Sequence, residues 1–252
     1  MLKITQLSQL DRDKTYSYAD YLTWQFDEMV ELIKGKISLM SLAPNLKHQD
    51  ASMSLSRSLS NFFHHKKCRV YAAPFDVRLY DRKKSSLANE EIHTLVQPDL
   101  CVICNLDLLD RKGCNGAPDW IIEIVSKGSA RKDLKEKYAL YQESGVTEYW
   151  LVFPSEQTIQ QFILDENRCY QLKAIFTCGD IASPYLFPEL KIDLNDVFES
   201  IDDDNISNWI TRVTNMVTKY RKLISFDWAM KKIITQFGLQ ILNNVFNVHN
   251  YK

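Results

Sequence analysis

The chain has 252 residues, 45% of them hydrophobic and 25% charged, with a formal net charge of −1 at pH 7. That length and balance suit a soluble globular protein of one large domain, or one domain plus an appendage, and leave no global attraction to nucleic acid, so any such site must be a local basic patch. No apolar run approaches the length of a membrane span and the opening MLKITQLSQLDRDK lacks a signal-peptide core, which makes a cytoplasmic protein with free thiols the expectation.

In chain order, YSYADYLTWQ reads as a short helix that Ser17 or Thr15 can cap, and VELIKGKISLMS as two short strands around the turn Lys34-Gly35. After a break at Pro44-Asn45, HQDASMSLSRSLSNFFHH places Met53, Leu55, Leu59, Phe62 and Phe63 at helical spacing. Three strand-like runs follow. CRVYAAPFDVRLY contains Pro74 and therefore suits an edge or a bulge; TLVQPDLCVIC is the second and PDWIIEIVS the third. The Cys101-x-x-Cys104 spacing lies in such a run, where residues three apart point to opposite faces, and no second pair completes a zinc site. SARKDLKEKYALYQESG is the clearest helix, opened by Ser129 and closed by Gly145. EYWLVFP, TIQQFIL and RCYQLKAIF form a meander, and LFPELKIDLNDVF closes the compact part. The passage from PDWIIEIVS through one helix to EYWLVFP is a βαβ unit, making those strands parallel neighbours if they share a sheet. Past about Phe198 an acidic break, ESIDDDN, leads into two amphipathic helices, with Ile206, Ile210, Val213, Val217, Tyr220 and Ile224 forming a seam on the first. They can pack back on the body or join two copies in a homodimer. Basic patches stand at His64–Lys67, Arg82–Lys84 and Lys127–Lys137, each of which also suits a solvated face.

Glu123 is the anomaly. In PDWIIEIVS it shares one strand face with Ile121 and Val125, while Trp120, Ile122 and Ile124 share the other. Bulky residues on both faces indicate a strand covered on both sides, where a carboxylate is costly unless paired, hydrogen-bonded or bound to a cation. An early strand end, a salt bridge or a solvent gap are ordinary explanations. Asp99, in the preceding run, weighs toward a cation: two acids converging from neighbouring strands suit a hard divalent ion, above all Mg²⁺. On the following helix Lys137 stands beside a stripe of Leu134, Tyr138 and Tyr141; it either snorkels to the surface or reaches back toward the acids.

The block VQPDLCVI…GAPDWIIEIVS…ARKDLKEKYALYQESGVTEYWLVFP, with YSYADYLTW, ELIKGKISLMS, HQ, APFDVRL and FPELKIDL around it, resembles the Uma-type family, a large bacterial family assigned to the restriction-endonuclease-like PD-(D/E)XK fold. The resemblance covers roughly Tyr16 to Phe198. It implies an α/β domain over residues 1–198 with a central mixed sheet flanked by helices, the helical pair of residues 199–252 being an addition, and a Mg²⁺-dependent endonuclease (Mn²⁺ the alternative) acting on nucleic acid, with DNA the expected substrate. Carried over, Asp99 and Glu123 are the metal acids and Glu31 matches a further acid that helps hold the metal. The lysine two residues after the second acid is replaced by Val125, so the family's lysine maps to Lys137, with Lys127 the weaker candidate. Asp76 and His48 match family positions without an assigned role. The competing expectation is a catalytically inactive module that recruits a partner through the C-terminal helices, or an acid–lysine network that holds no metal.

Overall fold

The computed structural model describes residues 3–40, 45–80, 89–126 and 128–199. The helical pair expected after Phe198 and its dimer contact, the patch Arg82–Lys84 and the candidate Lys127 lie outside the described residues.

A four-residue helix, α1 (Tyr18–Tyr21), opens the chain, with Ser17 and Asp20 capping each other's backbone. The hairpin of β1 (Val30–Ile33) and β2 (Lys36–Leu39) turns at Lys34 and Gly35, both at positive φ. Glycine suits the second place because a Cβ there would meet Thr15 Cγ2 at 2.3 Å. The long helix α2 (Leu46–Phe63) is capped by Asn45. It buries Ala51, Leu55, Leu59 and Phe63, whereas Met53, expected on that face, is 67% exposed; it lies two residues from both Ala51 and Leu55, about 160° around the helix from each.

Two runs that read as single strands are each divided by proline. CRVYAAPFDVRLY becomes β3 (Arg69–Ala72) and β4 (Val77–Leu79), and TLVQPDLCVIC becomes β5 (Thr94–Val96) and β6 (Leu100–Ile103). At Pro74 and at Pro98 the chain leaves one sheet and enters another, since proline cannot donate to a ladder. After β7 (Leu109–Asp110) and β8 (Gly113–Asn115) comes β9 (Trp120–Ile124). Helical backbone starts at Ala130, widens into a π-helical turn over Lys132–Lys137 and continues as α3 (Tyr138–Ser144), ended by left-handed Gly145. Then follow β10 (Glu148–Phe153), β11 (Thr158–Leu164), β12 (Tyr170–Thr177), the short pair β13 (Ile181–Ala182) and β14 (Ile192–Asp193), and α4 (Leu194–Phe198).

The main sheet runs β12-β11-β10-β9-β6-β3, antiparallel except for the parallel β9/β10 pair that the βαβ connection requires. A second six-stranded sheet, β2-β1-β5-β4-β8-β7, is also mixed. The fold is thus the expected α/β architecture with a central mixed sheet, supplemented by a second sheet that the undivided strands had concealed. One face of β9, with Trp120, Ile122 and Ile124, packs with Leu55 and Leu59 of α2 and Val197 of α4. The other, with Ile121, meets Leu140 and Tyr141 of α3 and Val77 and Leu79 of the second sheet. β9 is therefore covered on both sides, and Glu123 is 3% exposed.

Not all six cysteines are thiols: Cys68 and Cys104 form a disulfide. The register explains the pairing. β3 and β6 align Arg69 with Ile103, so the next position out puts Cys68 opposite Cys104. Cys101, three residues earlier, faces the other side, buried with Cys114. No helix among the described residues is long and apolar enough to cross a membrane.

Candidate active site

The two proline-marked crossings between the sheets occur side by side, joined by a hydrogen bond from Ala73 N–H to Asp99 O (3.1 Å). They form part of the wall of a cavity of about 380 Å³. Into it face Glu31 from β1, Asp99 from the step before β6, Glu123 from β9, and Lys132, Asp133 and Lys137 from the π-helical turn. Four carboxylates and two ammonium groups converge there from four places in the sequence.

Asp99 and Glu123 are neighbours across the β6/β9 ladder, and Asp99 Oδ2 accepts from Ile124 N–H at 2.7 Å. The other oxygen, Oδ1, faces His48 Nε2 at 3.4 Å, and His48 Nδ1 is buried without a hydrogen-bond partner. Glu123 Oε1 accepts from Tyr141 OH at 2.6 Å and from Lys137 Nζ at 2.9 Å. Lys137, 4% exposed, also contacts Glu31 Oε1 at 2.9 Å. Glu31 is fully engaged: Oε1 additionally accepts from Gln97 N–H at 3.0 Å, and Oε2 faces Lys132 Nζ at 3.3 Å. Gln97 is in turn held by Asp76, which accepts from its Nε2 at 2.8 Å and from Tyr18 OH at 3.3 Å. Asp76 thus steadies the strand end beneath Glu31.

The π-helical turn accounts for two lysines on one acid. In an α-helix residues five apart lie about 140° apart around the axis; a turn closed by i→i+5 bonds brings them back toward the same side. Lys132 and Lys137 both reach Glu31 in this way. The inward face of the helix is therefore Asp133, Lys137 and Tyr141, and Leu134, expected on it, is 40% exposed. Asp133 and Lys132 were missed from sequence. The signal was present: Asp133, Lys137 and Tyr141 follow one another at steps of four.

Burial works against a charge on Lys137, yet Glu123 and Glu31 outweigh it and hold the ammonium well above its ordinary range. Burial pushes the Glu123 carboxyl up to about 8; Lys137 opposes this, and Asp133, Asp99 and Glu31 add repulsion. Asp133 is raised as well, by burial against the pull of Lys137. Glu31 is lowered: burial is outweighed by Lys137 and Lys132 together with the Gln97 N–H. Four carboxylates thus repel one another beside two ammonium groups, and a dication would relieve that repulsion. Among the described residues no three His, Cys, Asp or Glu side chains are grouped to hold a metal ion. Mg²⁺, however, is commonly held by one or two carboxylates and keeps several waters. Asp99 and Glu123, hard oxygen donors on adjacent strands, fit that mode. Glu31 already balances Lys137 and Lys132, so it would serve as a further ligand only by sharing an oxygen with them.

Residues 18–195 match a protein family, Uma2, described as "Putative restriction endonuclease". Among solved structures, the crystal structure of a protein from Anabaena variabilis ATCC 29413, described as "a putative nuclease belonging to DUF820", superposes with a TM-score of 0.54 at 19% identity, covering 73% of this chain and 97% of that one. At that identity the likeness speaks for the fold. No curated protein matches the sequence.

Proposed function

From the premise that the chain belongs to the Uma2 family, we propose that it is a Mg²⁺-dependent endonuclease that hydrolyses phosphodiester bonds in DNA. The observation that carries this reading is the half-buried Asp99 beside the buried pair Glu123 and Lys137 at an open cavity where four carboxylates face two ammonium groups.

Asp99 and Glu123 would hold the ion. A bound Mg²⁺ supplies a water of lowered pKa and an electrophilic contact for phosphoryl oxygens. The remaining roles belong to the chain. Lys137 stays protonated, so it is no base; it donates hydrogen bonds, orienting the attacking water or offsetting charge on the phosphoryl oxygens in the transition state. Glu31, shared between Lys137 and Lys132, holds the two ammonium groups in place. Tyr141 fixes the Glu123 carboxylate from below. Ionisation of Glu123 is favoured by the same cation that it would bind.

The test is incubation of the full chain with supercoiled plasmid and with single-stranded DNA, in Mg²⁺, Mn²⁺ or EDTA. Metal-dependent nicking that disappears in Asp99→Ala is the expected result. No cleavage of either substrate with any of these ions, or cleavage that survives Asp99→Ala, overturns the reading; binding without cleavage would leave a non-catalytic module.

A further inference from the structure

Residues 51–75 contain no aspartate or glutamate, in a chain with 32 acidic residues, yet they carry Arg57, Lys66, Lys67 and Arg69 beside His64 and His65. The fold makes one surface of this stretch. It comprises α2 after its first turn and β3, the outermost strand of the main sheet. Both elements link the catalytic cavity to a second one, α2 leading away from it and β3 leading back. Gln49, Ser52, Ala73 and Pro74 line that cavity at one end. At the other, Ser60, His64, His65, Lys66, Arg69 and Val70 line a second, open cavity of about 420 Å³. Between them Met53 and Arg57 are exposed along α2.

The spacing is short. Ser52 to Ser60 spans about 12 Å of helix, and Val70 to Ala73 about 10 Å of strand. At one phosphate per about 3.4 Å of each strand of a duplex, the gap corresponds to roughly three nucleotides. The cations are presented outward. Lys66, Lys67 and Arg69 are exposed, and the Arg69 guanidinium is steadied by donating to the carbonyls of Lys66 (2.8 Å) and Cys68 (3.3 Å). Glu189 meets the patch, 4.0 Å from Lys66, and both of these side chains are partly in solvent, where such a pair is worth little.

We propose that the α2–β3 edge is the track on which the sugar-phosphate backbone of a nucleic acid leaves the catalytic cavity, with Arg57, Lys66, Lys67 and Arg69 neutralising its phosphates. The proposal rests on the nuclease reading of that cavity. Contacts of this kind carry no sequence information; they set register and supply salt-dependent affinity.

The test is fluorescence anisotropy of the full chain with a fluorescein-labelled 20-nucleotide DNA, as single strand and as duplex, in EDTA across a salt series. In Lys66→Ala/Lys67→Ala/Arg69→Ala the slope of log affinity against log salt should fall by roughly 2 to 3, at about 0.7 to 0.9 per phosphate contact. Extrapolated from 1 M, that is roughly a 100- to 500-fold weakening at 0.1 M salt. Arg57→Ala alone, on an exposed helix face, should lower the slope by about one, and Arg111→Ala/Lys112→Ala, in the turn between β7 and β8 of the second sheet, should leave it unchanged. An unaltered slope in both patch variants, an equal loss in the control, or no binding by the parent chain at low salt overturns the proposal. Hydrolysis of bis(p-nitrophenyl) phosphate separates it from the reading of the cavity. That substrate is too small to reach the patch, so the triple variant keeps any such activity, while Asp99→Ala loses it and retains salt-dependent DNA binding.

Discussion

Replacing Lys137 with methionine isolates the charge at the centre of the site. Methionine keeps most of the volume of the lysine stem, so packing against the sheet is largely retained. What disappears is an ammonium 2.9 Å from both Glu123 and Glu31. The two acids fare differently. Glu31 keeps Lys132 at 3.3 Å and the Gln97 N–H at 3.0 Å, whereas Glu123 keeps only the Tyr141 hydroxyl among these partners. Removing one member of a buried ion pair costs about 3–5 kcal/mol; with Glu31 still paired, the lower end, about 3 kcal/mol, is expected, or roughly 6–12 °C in Tm for a domain of this size. The cost depends on pH with a definite sign. Glu123, already pushed up to about 8 with the lysine present, rises further without it and escapes the penalty by staying protonated at pH 6. At pH 9 it must either ionise unpaired or hold its proton against the solution, at about 1.4 kcal/mol per unit. Urea or thermal unfolding of both proteins in EDTA at pH 6 and pH 9 reads this directly, the variant's deficit being largest at pH 9. Mg²⁺-dependent plasmid nicking by the same variant should fall by about 10²-fold or more, the scale of losing one electrostatic donor. Equal stability at pH 9, or an undiminished cleavage rate, would refute the assignment of Lys137 as the site's fixed cation.

Other substitutions probe the remaining parts. Glu123→Gln preserves shape and the possibility of accepting from Tyr141 but removes a ligand charge, so stabilisation of the chain by millimolar Mg²⁺ in a thermal-shift series should vanish along with nicking; persistence of either counts against Glu123 as a metal ligand. Glu31→Gln should destabilise by about 2 kcal/mol or more at pH 7, through two lysines left short of a partner. Because the Glu31 carboxyl is lowered in the folded chain, its contribution is present above the ordinary carboxylate value and is lost as pH falls through the folded one; the gap to the parent chain should therefore narrow as pH falls below the ordinary carboxylate range. A gap that stays constant with pH would contradict the ion pairing. Away from the site, Glu148 accepts from Trp150 Nε1, Gln161 Nε2 and the N–H groups of Tyr185 and Leu186, at 2.7, 2.7, 2.9 and 2.9 Å. Glu148→Gln turns a donor toward donors and should cost about 1–3 kcal/mol in urea unfolding while leaving cleavage intact.

The parts of the fold that follow local rules were legible. The Lys34-Gly35 turn, the cap at Ser17, the stop at Gly145 and the parallel pair through one helix all express conformational preferences of a few residues. The buried carboxylate on β9 was legible because a single charge interrupts an otherwise apolar strand. What escaped depends on distant partners. Neither proline run reveals that its halves belong to different sheets, since each half alternates and buries like a strand either way. Asp133 stood at a step of four before Lys137, but the place of Lys132 depended on a π-helical turn, for which a single sequence gives no periodic signature distinct from an α-helix. The Cys68–Cys104 bond required the register of β3 on β6. Glu31 was recognisable as an acid of interest, but its engagement by two lysines 101 and 106 residues further on follows only from the assembled sheets.

The meeting of two sheets at adjacent prolines has a bearing on how the chain comes alive. Three of its four acids are synthesised first, at positions 31, 99 and 123, and the balancing ammonium groups arrive only with residues 132 and 137. A growing polypeptide therefore holds an uncompensated cluster until the helix behind β9 has emerged, and both crossings must already be in place to receive it. Under the proposed function, a fragment ending ahead of that helix lacks both ammonium groups and should be inert toward DNA.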